Sequence, residues 1–384
     1  MTIIRHKQLV LSVTLTIFLM NLSLRCTDQG PASCRFFTAV ALAAENHALG
    51  MRGAAPSGKA SNPFEMLPGV IVDPAAERLY LMNPQGGIDA LELASGNLLW
   101  TAQAAGKPLA AFDDRLAAEA DVTRGSRSLP IVLLSTKHGG RVDSSIAVPM
   151  PAGVMPPSIN ERLGAVSSVD ARVEQDGLLV WWTVTSREVS GVPRPASVQN
   201  HSGAALINLQ TNNVTSLALD QAEARLRSKL SSAIPRLSET EGLYFPPQPA
   251  GRFFVSVKLG PASAGQAAVM KRWSADSGES LPDIDLGPGF VASSISPDQS
   301  LFLSVSSTPT KGPGYLWSIY RIASGERVAE VRLPDSSVQS FFVRNSILIY
   351  RAAGLHGLNL KTGTEIWTRA LRDTSYQGSY PPQP

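Results

Sequence analysis

The residue types that carry most enzyme chemistry are sparse in this sequence of 384 residues. Both cysteines, Cys26 and Cys34, precede residue 35, so the rest of the chain has no cysteine nucleophile and no cysteine-type zinc site. The sequence also has no G-x-S-x-G elbow and no phosphate-binding P-loop. The five histidines lack the spacing of metal ligands; they are His6, His47, His138, His201 and His356. We therefore assign no catalytic, cofactor-binding or metal-binding residues from the sequence.

Two adjacent pairs of residues are the remaining candidates. Asp113 and Asp114 are neighbouring carboxylates, but glycoside hydrolysis needs two carboxylates that face each other across a cleft. Trp181 and Trp182 follow a polar turn, and successive side chains of a strand point to opposite faces. We expect one tryptophan in the core and the other on the opposite surface. For His356, which opens the last repeated hairpin, we expect a surface or turn position.

The composition favours a turn-rich β protein with a large core. Hydrophobic residues make up 43% of the chain and charged residues 17%, which is not the composition of a disordered protein. Glycine and proline number 31 and 28, which is normal where turns are frequent. The net charge of +3, without a long basic block, disfavours nucleic acid as a partner.

The N-terminal segment is typical of a protein that is exported. Arg5, His6 and Lys7 precede an uncharged, mostly apolar run from Gln8 to Leu24. We expect an N-terminal hydrophobic helix, with residues 1–44 forming a signal peptide or signal anchor and residues 45–61 a linker. A start at Met20 and cleavage near Ala43 is an alternative. Neither cysteine lies in the usual lipoprotein box, which disfavours lipidation. The expected location is the periplasm, the cell envelope or the outside of the cell, and a cytoplasmic chain with a buried N-terminal helix is the alternative.

A repeated turn is the strongest pattern in the chain. It reads apolar–x–apolar–x–Ser/Thr–Gly, which predicts a strand with one buried face followed by a tight turn at a residue with positive φ. Asn212 replaces the glycine in one copy, and asparagine tolerates that conformation better than most residues. The copies are Leu91–Gly96, Trp273–Gly278, Tyr320–Gly325 and Leu358–Gly363, with a variant at Ile207–Asn212 and a degenerate copy at Val148–Gly153.

A second hairpin precedes each of these turns, as in "VIVDPAAERLYLM" and "SISPDQSLFLSV". One repeat therefore contains four antiparallel strands, and such units arranged in a ring form a β-propeller. We predict an all-β fold with a single β-propeller over residues 62–374 and a Pro-rich tail at 375–384. Six repeats are visible. Weakly marked segments such as 103–130 leave six to eight blades open, and a β-sandwich is the alternative fold.

One segment between the repeats has the periodicity of an amphipathic helix. Asp220 is the expected N-cap, with Glu223 three residues later, and Pro235 is the expected end. We expect the helix to pack on the propeller, and binding of a partner is the alternative. The expected buried face carries Ala222, Leu226, Leu230 and Ile234, and the exposed face Arg225, Arg227 and Lys229.

The first and last copies have the fullest motif, "RLYLMNPQGGIDALELASGNLLW" and "SILIYRAAGLHGLNLKTGTEIWTRAL". Both resemble the blade repeat of pyrroloquinoline-quinone-type propellers, a superfamily with quinoprotein alcohol dehydrogenases and non-enzymatic outer-membrane assembly lipoproteins. The middle copies resemble WD-type or Tol-type repeats. The resemblance implies that Trp100 and Trp367 pack between neighbouring blades. It also implies, for the dehydrogenases, eight blades and a calcium-supported quinone beside adjacent cysteines, a cysteine pair that this chain lacks.

These observations favour a non-enzymatic, exported propeller without a cofactor, which binds a protein or peptide on one face as a binding or assembly scaffold. A quinone-dependent dehydrogenase, or another enzyme with its site in the channel, is the alternative. We expect no nucleic-acid partner, and membrane contact only through an uncleaved N-terminal segment.

Overall fold

The computed structural model describes residues 62–122, 126–152, 154, 156, 167–175, 177–187, 198–226, 243–245, 253–260, 267–274, 277–307, 312–352 and 354–371. All of them belong to the second of two compact units, Gly50–Pro384. The predicted signal segment with its hydrophobic helix, the linker and the Pro-rich tail lie outside the described residues.

The described residues form six antiparallel sheets, in each of which the strands follow the order of the chain. Blade 1 contains β1 (Phe64–Leu67), β2 (Val70–Asp73), β3 (Arg78–Met82), β4 (Ile88–Glu92) and β5 (Leu98–Ala102). Blade 2 contains β6 (Lys107–Phe112), β7 (Arg115–Glu119), β8 (Ser128–Ser135) and β9 (Arg141–Pro149). Blade 3 contains β10 (Ser167–Glu174), β11 (Gly177–Arg187), β12 (Val198–Ile207) and β13 (Val214–Leu217).

The other three sheets have four strands each. Blade 4 contains β14 (Leu243–Phe245), β15 (Phe253–Leu259), β16 (Ala268–Ser274) and β17 (Ser280–Gly287). Blade 5 contains β18 (Phe290–Ile295), β19 (Leu301–Ser307), β20 (Tyr315–Arg321) and β21 (Arg327–Leu333). Blade 6 contains β22 (Ser340–Arg344), β23 (Ile347–Arg351), β24 (Leu355–Asn359) and β25 (Thr364–Arg369).

Buried apolar clusters join neighbouring sheets into a β-propeller, as the repeats predict. Such clusters connect blade 1 with blade 2, blade 2 with blade 3, blade 4 with blade 5, blade 5 with blade 6, and blade 6 with blade 1. The last of these closes the ring between the two ends of the repeat array. Polar contacts support the closure: the Ser340 hydroxyl donates to the carbonyl oxygen of Met66 at 2.7 Å, and Arg344 pairs with Glu77 at 2.7 Å.

The predicted hairpin turns are confirmed in five blades. Their final residues all have positive φ, with values of 67° at Gly96, 60° at Asn212, 71° at Gly278, 78° at Gly325 and 70° at Gly363. This is the left-handed conformation in which glycine, and to a lesser extent asparagine, avoids a steric cost.

The hairpin predicted at Val148–Gly153 is wrong, because Val148 lies inside β9. The corresponding turn of blade 2 joins β8 to β9 and uses two successive glycines, Gly139 and Gly140, with φ of 65° and 77°. Two glycines replace the Ser/Thr–Gly pair, so the motif is not visible there. Segment 103–130 supplies β6, β7 and the start of β8, and therefore belongs to blade 2 and not to a further blade.

Trp100 and Trp367 pack between blades, as the resemblance implies. Trp367 on β25 contacts the turn of blade 1, where a Cβ atom added at Gly96 would lie 2.7 Å from its Cδ2. Trp100 on β5 contacts the turn of blade 2 in the same way, with 2.6 Å between its Cε3 and a Cβ added at Gly140. The tryptophan of one blade thus needs a glycine in the next blade.

The inserted helix α1 spans Leu219–Leu226, and residues 227–235 of the predicted helix lie outside the described residues. It begins one residue before Asp220, so this carboxylate lies in the first turn and not at the N-cap, where it still favours the helix dipole. Ala222 is buried, as expected. Arg225 pairs with Glu174 of β10 at 2.7 Å, so this end of the helix is fastened to blade 3.

Candidate functional site

Strand β1 is an additional strand on the channel side of blade 1. It pairs with the free edge of β2, with Phe64 opposite Val72 and Glu65 opposite Ile71. The first strands of blades 2 and 3 contact each other, as do those of blades 5 and 6, so these strands are innermost. Strand β1 contacts the innermost strands of blades 2 and 6 and therefore lies inside the ring.

The side chains of β1 alternate between two neighbours, as a strand requires. Phe64 packs on blade 6, where its ring makes an edge contact with Phe342 at a centroid distance of 5.0 Å, and Met66 is buried in the same cluster. Glu65, between them, points the other way, toward a cavity and toward charged residues of blades 2 and 3. The strand thus presents one carboxylate to the channel.

A buried ion pair lies beside Glu65. The Lys107 ammonium at the start of β6 donates to the carbonyl oxygen of Val169 at 2.5 Å and lies 3.4 Å from a carboxylate oxygen of Asp170. Burial raises the pKa of Glu65 to about 8, and the negative charge of Asp170 adds to this rise. The charge of Lys107 and a hydrogen bond from the Gly69 amide oppose it. Glu65 is therefore mostly protonated at neutral pH.

A cavity of about 300 Å³ opens next to Glu65, between β1 and the innermost strands of blades 2 and 3. The only lining arginine among the described residues is Arg172, which is already bonded to the Glu174 carboxylate and, at 2.7 Å, to the carbonyl oxygen of Arg225. The lining of the cavity includes two aromatic rings and two carboxylates, namely Phe112, Trp181, Glu65 and Asp113, together with residue Phe64, whose ring packs on blade 6.

A wider cleft of about 950 Å³ lies on the face where the hairpin turns of blades 2 and 3 meet. Phe112, Asp113 and Val173 line both the cleft and the cavity, so the two spaces adjoin. The remaining lining of the cleft is mostly polar and carries charges of both signs, including Asp114, Arg115, Lys137, His138, Arg141, Asp143, Glu174 and Gln210.

The structure separates the candidate residues that the sequence places side by side. Asp113 lines the cavity and the cleft, whereas Asp114 lines the cleft only and pairs with Lys137 at 2.6 Å. Trp182 is buried in the core shared by blades 2 and 3, and Trp181 is half-buried and lines the cavity, so the two rings lie on opposite faces of β11 as expected, but Trp181 faces the cavity and not an open surface.

The three described histidines lie in different places. His138 lines the cleft, and its Nδ1 lies 3.0 Å from the Ser135 hydroxyl. His201 lies within β12. His356 lies in β24, stacked on Tyr350 and bonded through Nδ1 to Glu365 at 2.8 Å, and not in a turn. No group of three or more His, Cys, Asp or Glu residues in the described part of the chain could hold a metal ion. None of the helices described is long and apolar enough to span a membrane.

No motif of the sequence singles out Glu65, Lys107 or Asp170. Each is a charged residue at an inner strand, and Glu65 and Lys107 stand in mostly apolar segments, "PFEML" and "GKPLAAF". A lone charge in an apolar strand is a signal of a buried ion pair or site. This signal could have identified Glu65 and Lys107 as candidates, but it could not show that they and Asp170 lie next to one another in the fold.

The sequence matches no protein-family model. It also matches no curated protein. Three solved structures are similar to the chain at low identity. The computationally designed Ika8 protein is 12% identical over 85% of this chain and 91% of its own, with a TM-score of 0.31. A europium-containing methanol dehydrogenase is 12% identical over 84% of this chain and 83% of its own, with a TM-score of 0.33. Hydrazine synthase of Kuenenia stuttgartiensis is 11% identical over 80% and 81%, with a TM-score of 0.28. None of these likenesses bears on function.

Proposed function

We propose that this propeller is an exported, non-enzymatic binding module, and that its partner is a protein or peptide that docks on the turn face of blades 2 and 3. The observation that carries the proposal is the cleft of about 950 Å³ on that face. Its walls are short turns on rigid sheets, and binding residues are often placed on such loops. A cleft of this size, open along one face, suits an extended segment of a partner.

The charges of the cleft support a protein partner. Arg115, Lys137 and Arg141 alternate with Asp114 and Asp143 along its walls. Mixed charges favour a partner with a complementary arrangement of both signs, because complementarity sets specificity and steers association. A nucleic acid would need a predominantly basic surface to neutralise its phosphates.

The alternative, a quinone-dependent dehydrogenase, has less support from the channel. Pyrroloquinoline quinone carries three carboxylates and needs cationic groups around it. The cavity beside β1 has one arginine in its described lining, which is already bonded to Glu174, and no group of three or more His, Cys, Asp or Glu residues in the described part of the chain could hold the supporting calcium ion. These residues do not fit the cofactor.

The proposal is tested by reversing one charge in the cleft. The full chain would be used to capture partners from envelope extract, and the affinity of the captured protein then measured for three forms: the unchanged chain, Arg141→Glu and Lys361→Glu. Lys361 is an exposed residue in the corresponding turn of blade 6, on the same face but away from the cleft. We expect Arg141→Glu to weaken binding at least tenfold and Lys361→Glu to leave it unchanged. Equal affinity of all three forms would refute the cleft as the docking site.

A further inference from the structure

The cavity beside β1 has the chemistry of a site for an organic cation. Glu65 and Asp113 supply carboxylates, and Phe112 and Trp181 supply aromatic rings. Ammonium groups are attracted both to carboxylates and to the faces of aromatic rings. Arg172 does not cancel this attraction, because it is bonded to Glu174.

The carboxylates around Glu65, with Glu65 itself ionised, outnumber the neighbouring cations by one. Asp170 and Lys107 face it from blades 3 and 2, and Asp113 and Arg172 line the same cavity. Lys107 pairs with Asp170, and the Glu174 carboxylate is shared by Arg172 and Arg225. Asp113 has no paired cation in the cavity lining described, so when Glu65 ionises the carboxylates of this group outnumber its cations by one. A cation that enters the cavity would supply the missing charge.

The cavity is reached from the cleft. Phe112, Asp113 and Val173 belong to both linings, so a partner that lies in the cleft passes the mouth of the cavity. The lining also includes apolar side chains, with Ile71 and Leu109 among them. A lysine side chain has a matching shape, because its flexible apolar stem ends in a compact ammonium group.

We propose that the cavity beside β1 is the pocket for a lysine side chain of the docked partner, with its ammonium group held by Glu65 and its stem by the aromatic and aliphatic walls. This inference rests on the proposed binding function and specifies its partner: an extended segment with a lysine.

Binding in this pocket is linked to a proton. Burial and Asp170 hold the pKa of Glu65 near 8, whereas an alkylammonium group keeps its charge up to a pKa of about 10. The cation binds the ionised carboxylate, so its arrival releases the proton that Glu65 carries at neutral pH. Affinity should therefore rise with pH as long as Glu65 is protonated, by at least about tenfold from pH 6 to pH 9.

The probe is n-butylammonium chloride, which reproduces the lysine stem and its charge, with n-butanol as the neutral control. Binding to the full chain would be followed by calorimetry and by the indole signal of Trp181 in NMR spectra. We expect saturable binding of butylammonium with the stated rise in affinity, and no binding of butanol. Glu65→Gln should weaken binding at least tenfold and abolish the pH dependence. Glu279→Gln, at an exposed residue in the corresponding turn of blade 4 and outside the linings of both the cavity and the cleft, should change neither.

Trp181→Leu provides a second variant, which keeps Glu65 and should weaken binding severalfold without changing its pH dependence. The inference is overturned if butylammonium does not bind, or if it binds equally at pH 6 and pH 9. It is also overturned if Glu65→Gln, shown to be folded by circular dichroism, binds as the unchanged chain does. These results are independent of the Arg141→Glu experiment: loss of partner binding there, without butylammonium binding here, refutes only the lysine pocket.

Discussion

The closure of the ring between blades 6 and 1 makes a strong prediction at one glycine. Gly96 has φ of 67°, and a Cβ atom there would lie 2.7 Å from Cδ2 of Trp367. The left-handed backbone costs an alanine about 1–2 kcal/mol. Forcing a methyl group against a packed ring costs about 1–3 kcal/mol more. Gly96→Ala should therefore lower the free energy of unfolding by roughly 2–5 kcal/mol.

Gly139 is a matched control for the backbone part of this cost. Its φ of 65° is nearly the same, but a Cβ atom there would have no neighbour within 4 Å. Gly139→Ala should cost only about 1–2 kcal/mol. Urea titrations of both variants measure the difference, which is the steric part. In the double variant Gly96→Ala/Trp367→Ala the methyl group has space, so the two losses should not add. Equal destabilisation by Gly96→Ala and Gly139→Ala would refute the packing of Trp367 on this turn.

The remaining predictions concern the core, the pH dependence and the alternative function. Arg272 is buried, and its guanidinium donates to the carbonyl oxygens of Ala323 at 3.1 Å and Pro282 at 2.7 Å. Arg272→Met leaves these oxygens without their donor, so it should lower the free energy of unfolding in urea by about 3 kcal/mol. Arg327→Met, at an exposed ion pair, should change it by less than about 1 kcal/mol, and equal effects would contradict this reasoning. The pKa of Glu65 is about 8 in the folded chain, above its unfolded value of 4.5. Between pH 4.5 and pH 8 the folded chain therefore keeps a proton on Glu65 that the unfolded chain has lost. The contribution of Glu65 to stability falls as the pH rises through this range. Glu65→Gln should remove this fall. Between pH 5 and pH 8 the free energy of unfolding of the variant, measured in urea, should therefore rise by roughly 2–4 kcal/mol relative to that of the unchanged chain. Parallel pH profiles of the two unfolding free energies would show that the pKa of Glu65 is not raised. Calcium with pyrroloquinoline quinone should shift neither the melting temperature nor the quinone spectrum, whereas a shift would favour the dehydrogenase alternative.

The parts of the fold that depend on local conformation could be predicted from the sequence. A turn that needs positive φ selects Gly or Asn, which is why Gly96, Gly278, Gly325 and Gly363 mark their hairpins so clearly. The same reasoning failed in blade 2, where Gly139 and Gly140 form a different turn that the motif does not include. The predicted helix lies where it was expected, but it begins at Leu219, so the expected N-cap residue Asp220 is already inside the helix.

The candidate site could not be predicted, because it depends on the assembly of three blades. Glu65, Lys107 and Asp170 lie on three blades, and nothing in their sequence neighbourhoods relates one to another. Strand β1 carries no turn motif, and its position inside the ring follows from contacts with β6 and β22. The cavity lies between β1 and the innermost strands of blades 2 and 3, so it exists only when these three blades are assembled.

Site-specific photo-crosslinking tests the docking face most directly. A photoreactive amino acid would replace Gln210, which is exposed in the cleft, or Lys361, in the corresponding turn of blade 6. Each full-length variant would be irradiated in cells that produce it, and its adducts compared. We expect a discrete adduct with one partner from position 210 and none from position 361. An adduct from position 361 alone, or from neither position, would contradict a docking site between blades 2 and 3.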